Sequence, residues 1–371
     1  MMICDTETLP RAKQHIESLP LYLPGRAISA VAREYGFDEC TVVKLASNEN
    51  PLGMSPHVQE TLLEVASSAS SCYPDPEATE LKLSLSQHYG VDTAWITVGS
   101  GSSEILDMAA RAFAGPGDTV VIAQYAFASY YLAAAAVGAT PRVIPSPEYR
   151  HDLDAMLEAI DHTTKLIYIA NPNNPTGSFI TDAEIKRFLD AVPSHVVVAL
   201  DEAYAEYLPF LEQSSPGELV ERYSNLIVTR TFSKIYGLAA LRIGYGIAQS
   251  HLTNALNKVR PPFNTSTYAQ AAAATAIQDQ EFVADSRRMN DLGRGQLTDA
   301  FDQRGLAYLP SAGNFVLVNV LDGVAVSQLL LERAIIVRPM ANYGLPEWLR
   351  VSMGTLDQNA RFLDALLRIG L

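Results

Sequence analysis

Lys234 closes a short segment after the apolar run Leu226–Thr229 and stands among Phe232, Ile235 and Leu238. A lysine held in apolar surroundings gives up its proton more easily, so it can act as a nucleophile or form a Schiff base with a carbonyl. A lone lysine is usually only a solvated surface charge, so its company decides. Asp201 directly follows Val196–Leu200, whose continuous apolar character fits a strand buried on both faces. A carboxylate there is unfavourable unless it meets a cation or a good donor. Its bland reading is a helix N-cap, and Tyr204 would lie near the same ligand. Gly99-Ser100-Gly101-Ser102-Ser103-Glu104 follows Trp95–Val98 and leads into a helical pattern. Flexible glycines, hydroxyls and the free N–H groups of a helix start make a phosphate cradle. An ordinary turn with Ser102 or Ser103 as N-cap would read the same way. The segment matches neither the dinucleotide GxGxxG pattern nor GxxxxGK[ST]. Asn171-Pro172-Asn173-Asn174-Pro175-Thr176-Gly177 follows Lys165–Ala170. It is stiffened by two prolines yet holds more asparagines than a turn requires. A lysine, a buried acid, an amide loop, a phosphate cradle and Arg242, each at a strand end of one sheet, outweigh the bland reading of any one of them.

The elements that must position these residues alternate along the chain. Apolar, β-branched runs recur at Trp95–Val98, Thr119–Ala123, Lys165–Ala170, Val196–Leu200, Leu226–Thr229 and Ile243–Ala248. Helix-length segments such as Ser103–Phe113, Tyr130–Val137 and Thr181–Ala191 lie between most of them. This rhythm predicts an α/β fold with a mostly parallel sheet covered on both faces, and ligands bind beyond the carboxyl ends of such strands. After about residue 265 long helical stretches, roughly 268–304, precede short strands at Phe315–Val320, Ile335–Arg338 and Leu349–Ser352 and a last helix at Gln358–Leu367. That is the pattern of a smaller α+β domain. The first forty residues read as an arm punctuated by Pro10, Pro20 and Pro24, with a helix at Ile28–Tyr35. The expected division is an arm and part of the small domain at 1–45, a large ligand-binding domain at 46–264, and a small domain at 265–371.

The 27 basic and 41 acidic side chains give a net charge of −14. This disfavours nucleic acid and anionic membranes as partners. An anionic small substrate would need local cations. Cys4, Cys40 and Cys72 form no CxxC pair and fit a reducing compartment. Asp5 and Glu7 stand where a signal peptide wants basic residues, and no apolar run is long enough to cross a bilayer. The expectation is a soluble, cytoplasmic protein. No metal site is expected, because the seven histidines form no HExxH and no ligand-like cluster.

Over nearly its whole length the chain resembles the fold-type-I aminotransferases that use pyridoxal phosphate, and among them the histidinol-phosphate aminotransferases. The resemblance is carried by KLASNENPLG (44–53), Tyr73-Pro74-Asp75, GSGSSE (99–104), QYAFASY (124–130), NPNNPTG (171–177), DEAY (201–204), RTFSKIYGLAALR (230–242), Gly313-Asn314-Phe315 and LRVSMGT (349–355). It implies that Lys234 links covalently to the cofactor aldehyde and later carries the proton at the substrate Cα. Asp201 would face the pyridine nitrogen and keep the ring protonated. Tyr204 and Asn174 would bond the ring's phenolic oxygen. Phe127, where the family often has tyrosine, would stack on the ring. Ser102, Ser103, Ser233 and Arg242 would hold the phosphate, a bidentate guanidinium suiting that dianion. Tyr73 would reach the phosphate in the neighbouring subunit of a homodimer. Arg350 matches the arginine that binds the co-substrate carboxylate, and Arg338, Tyr22 and Asn48 match positions near the distal end of the substrate. Ala240 stands where the motif usually has glycine and is expected only to tighten a helix contact.

The implied reaction is transamination between L-histidinol phosphate and 2-oxoglutarate. A second reading keeps fold and cofactor but takes phenylalanine or tyrosine. A third is a decarboxylase of a phosphorylated amino acid, which the Arg350 match disfavours. A non-catalytic binding protein on the same fold should have lost Lys234 or Asp201, and both are present.

Overall fold

The computed structural model describes residues 10–21, 24–68, 71–208 and 214–371. Its strands in chain order are β1 (Val43–Lys44), β2 (Ile96–Gly99), β3 (Thr119–Ala123), β4 (Thr140–Ile144), β5 (Thr164–Ala170), β6 (Val197–Asp201), β7 (Leu226–Thr231), β8 (Gly244–Ala248), β9 (Tyr308–Leu309), β10 (Phe315–Asn319), β11 (Ile335–Ile336), β12 (Arg338–Pro339) and β13 (Trp348–Ser352). The central sheet has the order β2-β8-β7-β6-β5-β3-β4. The pairs β4–β3, β3–β5, β5–β6 and β6–β7 are parallel. The last run of the alternating pattern, β8, is antiparallel to both neighbours, β7 and β2. Residues 232–243 join β7 to β8 through a short 3-10 turn, Ala239–Leu241, with no crossover helix, so the chain can return in the opposite direction. β4 lies at the sheet edge, partly exposed, and Pro141 is tolerated there.

Period-two alternation separates two cores. Along β6, Val198 and Leu200 enter the core that contains Phe188 and Val228, while Val197 and Ala199 enter the one that contains Ile105, Tyr130 and Tyr168. Asp201, two residues beyond Ala199, continues the second face. The helix Ser102–Phe113 covers that face, burying Ile105, Leu106, Met108, Ala109 and Ala110.

The second sheet is antiparallel, in the order β12-β13-β10-β9, and packs over Leu297, Phe301, Phe362 and Leu366. The N-terminal segment joins this part of the molecule. β1 pairs in parallel with β11, and the helix Ile28–Tyr35 contributes Val31 and Ala32 to a cluster with Leu331, Ala334 and Ile336. The long helical stretch from 268 to 304 is two helices, Thr267–Ala276 and Gln280–Arg304. The break falls at Ile277-Gln278-Asp279, where Asp279 caps the second helix through the Phe282 N–H. The first helix packs against the helices Pro56–Ser68 and Thr79–Tyr89, and so shares the core of the large sheet. Among the described residues no helix is long and apolar enough to cross a membrane.

Candidate active site

At the carboxyl ends of β2, β5, β6 and β7, where β12 and β13 of the second sheet come up opposite, lies a cleft of about 220 Å³. Its lining gathers Asn48, Ser102, Ser103, Phe127, Asn174, Asp201, Tyr204, Ser233, Lys234, Arg242, Arg338 and Arg350. Thus twelve of the expected site residues meet in one place. Tyr22 lies outside the described residues. Tyr73 is elsewhere, 81% exposed and stacked on Phe263 with ring centroids 4.6 Å apart.

Lys234 lies three residues beyond β7. Its Nζ donates to the Ser47 carbonyl at 3.2 Å and sits 5.6 Å from the Tyr204 ring centroid. Burial, and next the nearby Arg350 guanidinium, push its pKa down to about 8. The Ser47 carbonyl belongs to the 44–53 segment, which Asn50 pins by donating to the Ile235 carbonyl at 2.6 Å. The close passage explains Gly237, whose φ is +71° and where an added Cβ would lie 1.8 Å from the Gly53 carbonyl oxygen.

Asp201 ends β6 and is buried. Oδ2 accepts from the Tyr130 hydroxyl at 2.7 Å and Oδ1 from Thr229 Oγ1 at 3.1 Å. Burial raises its pKa, and these two donors oppose that rise. The side-chain donors that this buried acid receives are hydroxyls, and the Ala203 backbone N–H adds a further one.

The turn after β2 does not have the bland geometry. The N-cap of the helix is Gly101, at φ +80° with no side-chain cap, so neither Ser102 nor Ser103 serves as the cap. The Ser100 N–H is held instead by Glu104 Oε2 at 2.7 Å, and Asn264 Nδ2 bonds the same oxygen at 2.5 Å. Across the turn Arg242 Nη1 donates to Ser233 Oγ at 3.1 Å. An added Cβ at Gly101 would sit 2.6 Å from Arg242 Nη2, and one at Gly244 would sit 2.4 Å from the Ser102 nitrogen. Helix start, two serines, a third serine and a guanidinium thus converge with no room for a further side chain, as an oxyanion cradle requires. Ala240, expected to tighten a helix contact, is exposed in the 3-10 turn Ala239–Leu241 beside this cradle.

The other wall is built from β12, β13 and the 44–53 segment. Arg338 and Arg350 are directly opposed in register. Arg350 donates to Asn174 Oδ1 at 2.6 Å and to the Ala46 carbonyl at 2.7 Å, and its guanidinium lies 5.5 Å from the Phe315 ring centroid. With Oδ1 engaged, the remaining group of the Asn174 amide is a donor. Asn48, buried with φ +55°, donates to the Tyr204 hydroxyl at 2.9 Å and is fixed by Ser352 through both its N–H and its Oδ1. Its amide therefore orients Tyr204 as well as lining the cleft. Phe127 meets the Tyr130 ring edge-on at 5.9 Å.

Sequence reasoning passed over Tyr130, Thr229, Glu104, Asn264 and the carbonyls of Ala46 and Ser47. Tyr130 and Glu104 lie inside segments already singled out, and their position there was the available signal. Backbone carbonyls leave no trace in residue type.

The family model described as "Aminotransferase class I and II" matches residues 41–366. The chain is 50% identical over 357 residues to histidinol-phosphate aminotransferase 2 of Ralstonia nicotianae, covering 95% of each protein. It is 49% identical to histidinol-phosphate aminotransferase 1 of Cupriavidus pinatubonensis, covering 97% of this chain and 96% of the relative. Among solved structures, histidinol-phosphate aminotransferase from Sinorhizobium meliloti in complex with pyridoxal-5'-phosphate superposes with a TM-score of 0.86 at 28% identity, covering 97% of this chain and 98% of that one.

Proposed function

Since the chain belongs to the class I and II aminotransferase family, we propose that it exchanges the amino group between L-histidinol phosphate and 2-oxoglutarate, with pyridoxal phosphate as cofactor, in histidine biosynthesis. The observation that carries the chemistry is the convergence on one cleft of a lysine, a buried carboxylate, a phosphate cradle and an arginine pair. The substrate rests on the relatives that share half of its residues.

The cleft fits the cofactor. A cradle crowded enough to exclude a Cβ at Gly101 and Gly244 suits a phosphate, and the acid with two hydroxyl donors suits a protonated ring nitrogen. Pyridoxal phosphate supplies an aldehyde that links to amines and a ring that takes up the electrons left when Cα loses its proton. Ser102, Ser103, Ser233 and Arg242 would hold its phosphate, Phe127 would flank the ring, and Asp201 would face the ring nitrogen. Tyr204 and Asn174, one bonded by Asn48 and the other by Arg350, would donate to the ring oxygen.

With a pKa of about 8, Lys234 is a neutral amine in roughly a tenth of molecules at pH 7, as reactive amines require. It would remove the proton from the substrate Cα and deliver it to the former aldehyde carbon of the cofactor, on the other side of the amino nitrogen. Arg350 and Arg338 bind the substrate anions: the carboxylate of 2-oxoglutarate and the phosphate of histidinol phosphate both match a guanidinium fork. Tyr22 is assigned to the distal end of the substrate by resemblance.

Tyr73, exposed and backed by Phe263, is assigned to the phosphate site of a second subunit, so the working form is a homodimer. Free, exposed Cys40 and Cys72 support a cytoplasmic location. The proposed division is an arm (1–45), a large domain (46–264) and a small domain (265–371), with the helix Thr267–Ala276 at the start of the last packing into the core of the large sheet.

Side-by-side assay of histidinol phosphate, phenylalanine and tyrosine with 2-oxoglutarate tests the substrate. A clear preference for phenylalanine or tyrosine would overturn it.

A further inference from the structure

Asp201 acts through its charge and direction, and both depend on what surrounds it. Its two oxygens are held by two hydroxyls, one from β7 and one from the helix Ala128–Ala136. Thr229 sits beside Asp201 in the sheet register, so its contact comes with strand pairing. The contact from Tyr130 needs construction. The Tyr130 ring is fully buried, stacked on Tyr168 at 4.8 Å with 10° between planes, and edge-on to Phe127. Tyr168 is itself fixed, its hydroxyl donating to the Leu106 carbonyl at 2.7 Å. Leu106 lies in the helix whose first turn carries Ser102 and Ser103. One rigid stack therefore joins the phosphate cradle, the ring-flanking Phe127 and Asp201. Phenylalanine would fill the same space at position 130, and a phenol buried with no partner is unfavourable, so the hydroxyl itself has a task.

We propose that Tyr130 is a positioning residue of the reaction, whose hydroxyl turns the Asp201 carboxylate toward the cofactor's ring nitrogen and keeps that carboxylate ionised. The inference rests on the assignment of Asp201 to the ring nitrogen made above. A hydrogen bond to a carboxylate favours its charged form. With Asp201 anionic, the shared proton stays on the ring nitrogen. Without the Tyr130 donor the carboxylate becomes more basic and draws that proton toward itself. The burial that raises the Asp201 pKa is the tendency that Tyr130 opposes.

The test uses holoenzyme carrying cofactor labelled with 15N in the ring, compared in wild type, Tyr130→Phe and Asp201→Asn. Y130F keeps the ring that stacks on Tyr168. Its nitrogen resonance should move toward that of neutral pyridine, and kcat should fall roughly tenfold with KM values nearly unchanged, as expected for one lost bond to a charged group. Replacing Tyr130 by 3-fluorotyrosine, which retains a donor, should preserve the wild-type signal and serves if Y130F does not fold. The proposal is overturned if Y130F keeps the wild-type resonance and kcat, if it changes only the melting temperature, or if the fluorotyrosine enzyme loses the signal. D201N separates the two ideas: if D201N leaves the resonance at its wild-type position, the assignment of Asp201 to the ring nitrogen has failed, and Tyr130 has no role through it.

Discussion

Replacing Gly101 by alanine tests the cradle directly. Gly101 has φ +80° and ψ 164°, a region that essentially only glycine enters, where an L-residue carries a penalty of about 1–3 kcal/mol. The new Cβ would lie 2.6 Å from Arg242 Nη2 and 3.3 Å from its Cζ. The atoms in the way belong to the tip of a flexible side chain, so Arg242 swings aside and the fold survives. The displaced guanidinium then loses its bond to the phosphate, and one charge-assisted bond is worth about 1.5–3 kcal/mol. The affinity of G101A apoenzyme for pyridoxal phosphate should therefore fall by roughly ten- to a hundredfold, since each 1.4 kcal/mol is a factor of ten. Its affinity for pyridoxal, which lacks the phosphate, should change little. Fluorescence titration of apoenzyme with both ligands measures the two constants, and thermal melting gives the backbone penalty separately. Gly244→Ala is the contrasting case. Its Cβ would meet the Ser102 nitrogen at 2.4 Å and the Arg230 carbonyl at 2.9 Å, and neither can rotate away, so folding itself should suffer. If G101A weakened both ligands equally, or neither, the phosphate would not lie in this cradle.

The lysine, the arginine wall and a buried ion cluster give further tests. Lys234 binds its proton less tightly when folded, pKa about 8 against an ordinary 10.5, so apoenzyme stability should rise as pH climbs between those values. Apo Lys234→Met should melt above wild type at pH 7, with the gap closing toward pH 10.5; the absence of a gap would contradict the burial of the amine. Lys234→Ala holoenzyme should yield no borohydride-reducible link to that peptide. Arg350→Lys keeps the charge but loses the fork that grips Asn174 and the Ala46 carbonyl. Its KM for 2-oxoglutarate should rise by roughly tenfold or more, and an unchanged KM would remove Arg350 from carboxylate binding. Arg230→Met would leave Glu202 and Glu206 without the guanidinium that bonds them at 2.7 and 3.5 Å, at a loss of about 3–5 kcal/mol. Burial already raises both carboxyl pKa values. The loss should therefore shrink as pH falls toward the carboxylate range and protonation relieves the charges, which denaturant melts at two pH values would report.

Much of the site was legible because its residues lie where apolar runs stop. Val196–Leu200 is uniform enough to announce a doubly buried strand, so the acid after it is placed by chain geometry alone. The same holds for Asn174 after β5 and Lys234 after β7. Strand direction was less legible. Ile243–Ala248 is an apolar run like the parallel strands, and the short connection from β7 is what hints that it runs the other way. β4 was missed because its edge position leaves it half exposed and breaks the apolar run. The support of Asp201 was hidden for a different reason. Tyr130 is 71 residues away, and a tyrosine in an alanine-rich helix reads as core, which its ring is; only its hydroxyl has other work. Asn48 likewise reads as part of a loop motif, and its hold on Tyr204 spans 156 residues.

The charge balance illustrates how local geometry overrides composition. A chain with net charge −14 repels anions at long range, but beyond about 8 Å at physiological salt that repulsion is largely screened. Inside the cleft Lys234, Arg242, Arg338 and Arg350 all line one cavity, and short-range interactions there act through a lower effective dielectric. Arg242 bonds Ser233 at the cradle, and the pair on β12 and β13, with Arg350 held by Asn174 and the Ala46 carbonyl, is the one proposed above for substrate. In a transamination the amino donor and the oxo acid visit the same cleft in turn, so on the proposed assignment one pair of arginines would grip a phosphate in one half-reaction and a carboxylate in the other. A guanidinium fork accepts either anion. The two substrates must therefore exclude each other from the cleft, and neither can be strengthened at Arg350 or Arg338 without altering the hold on its counterpart.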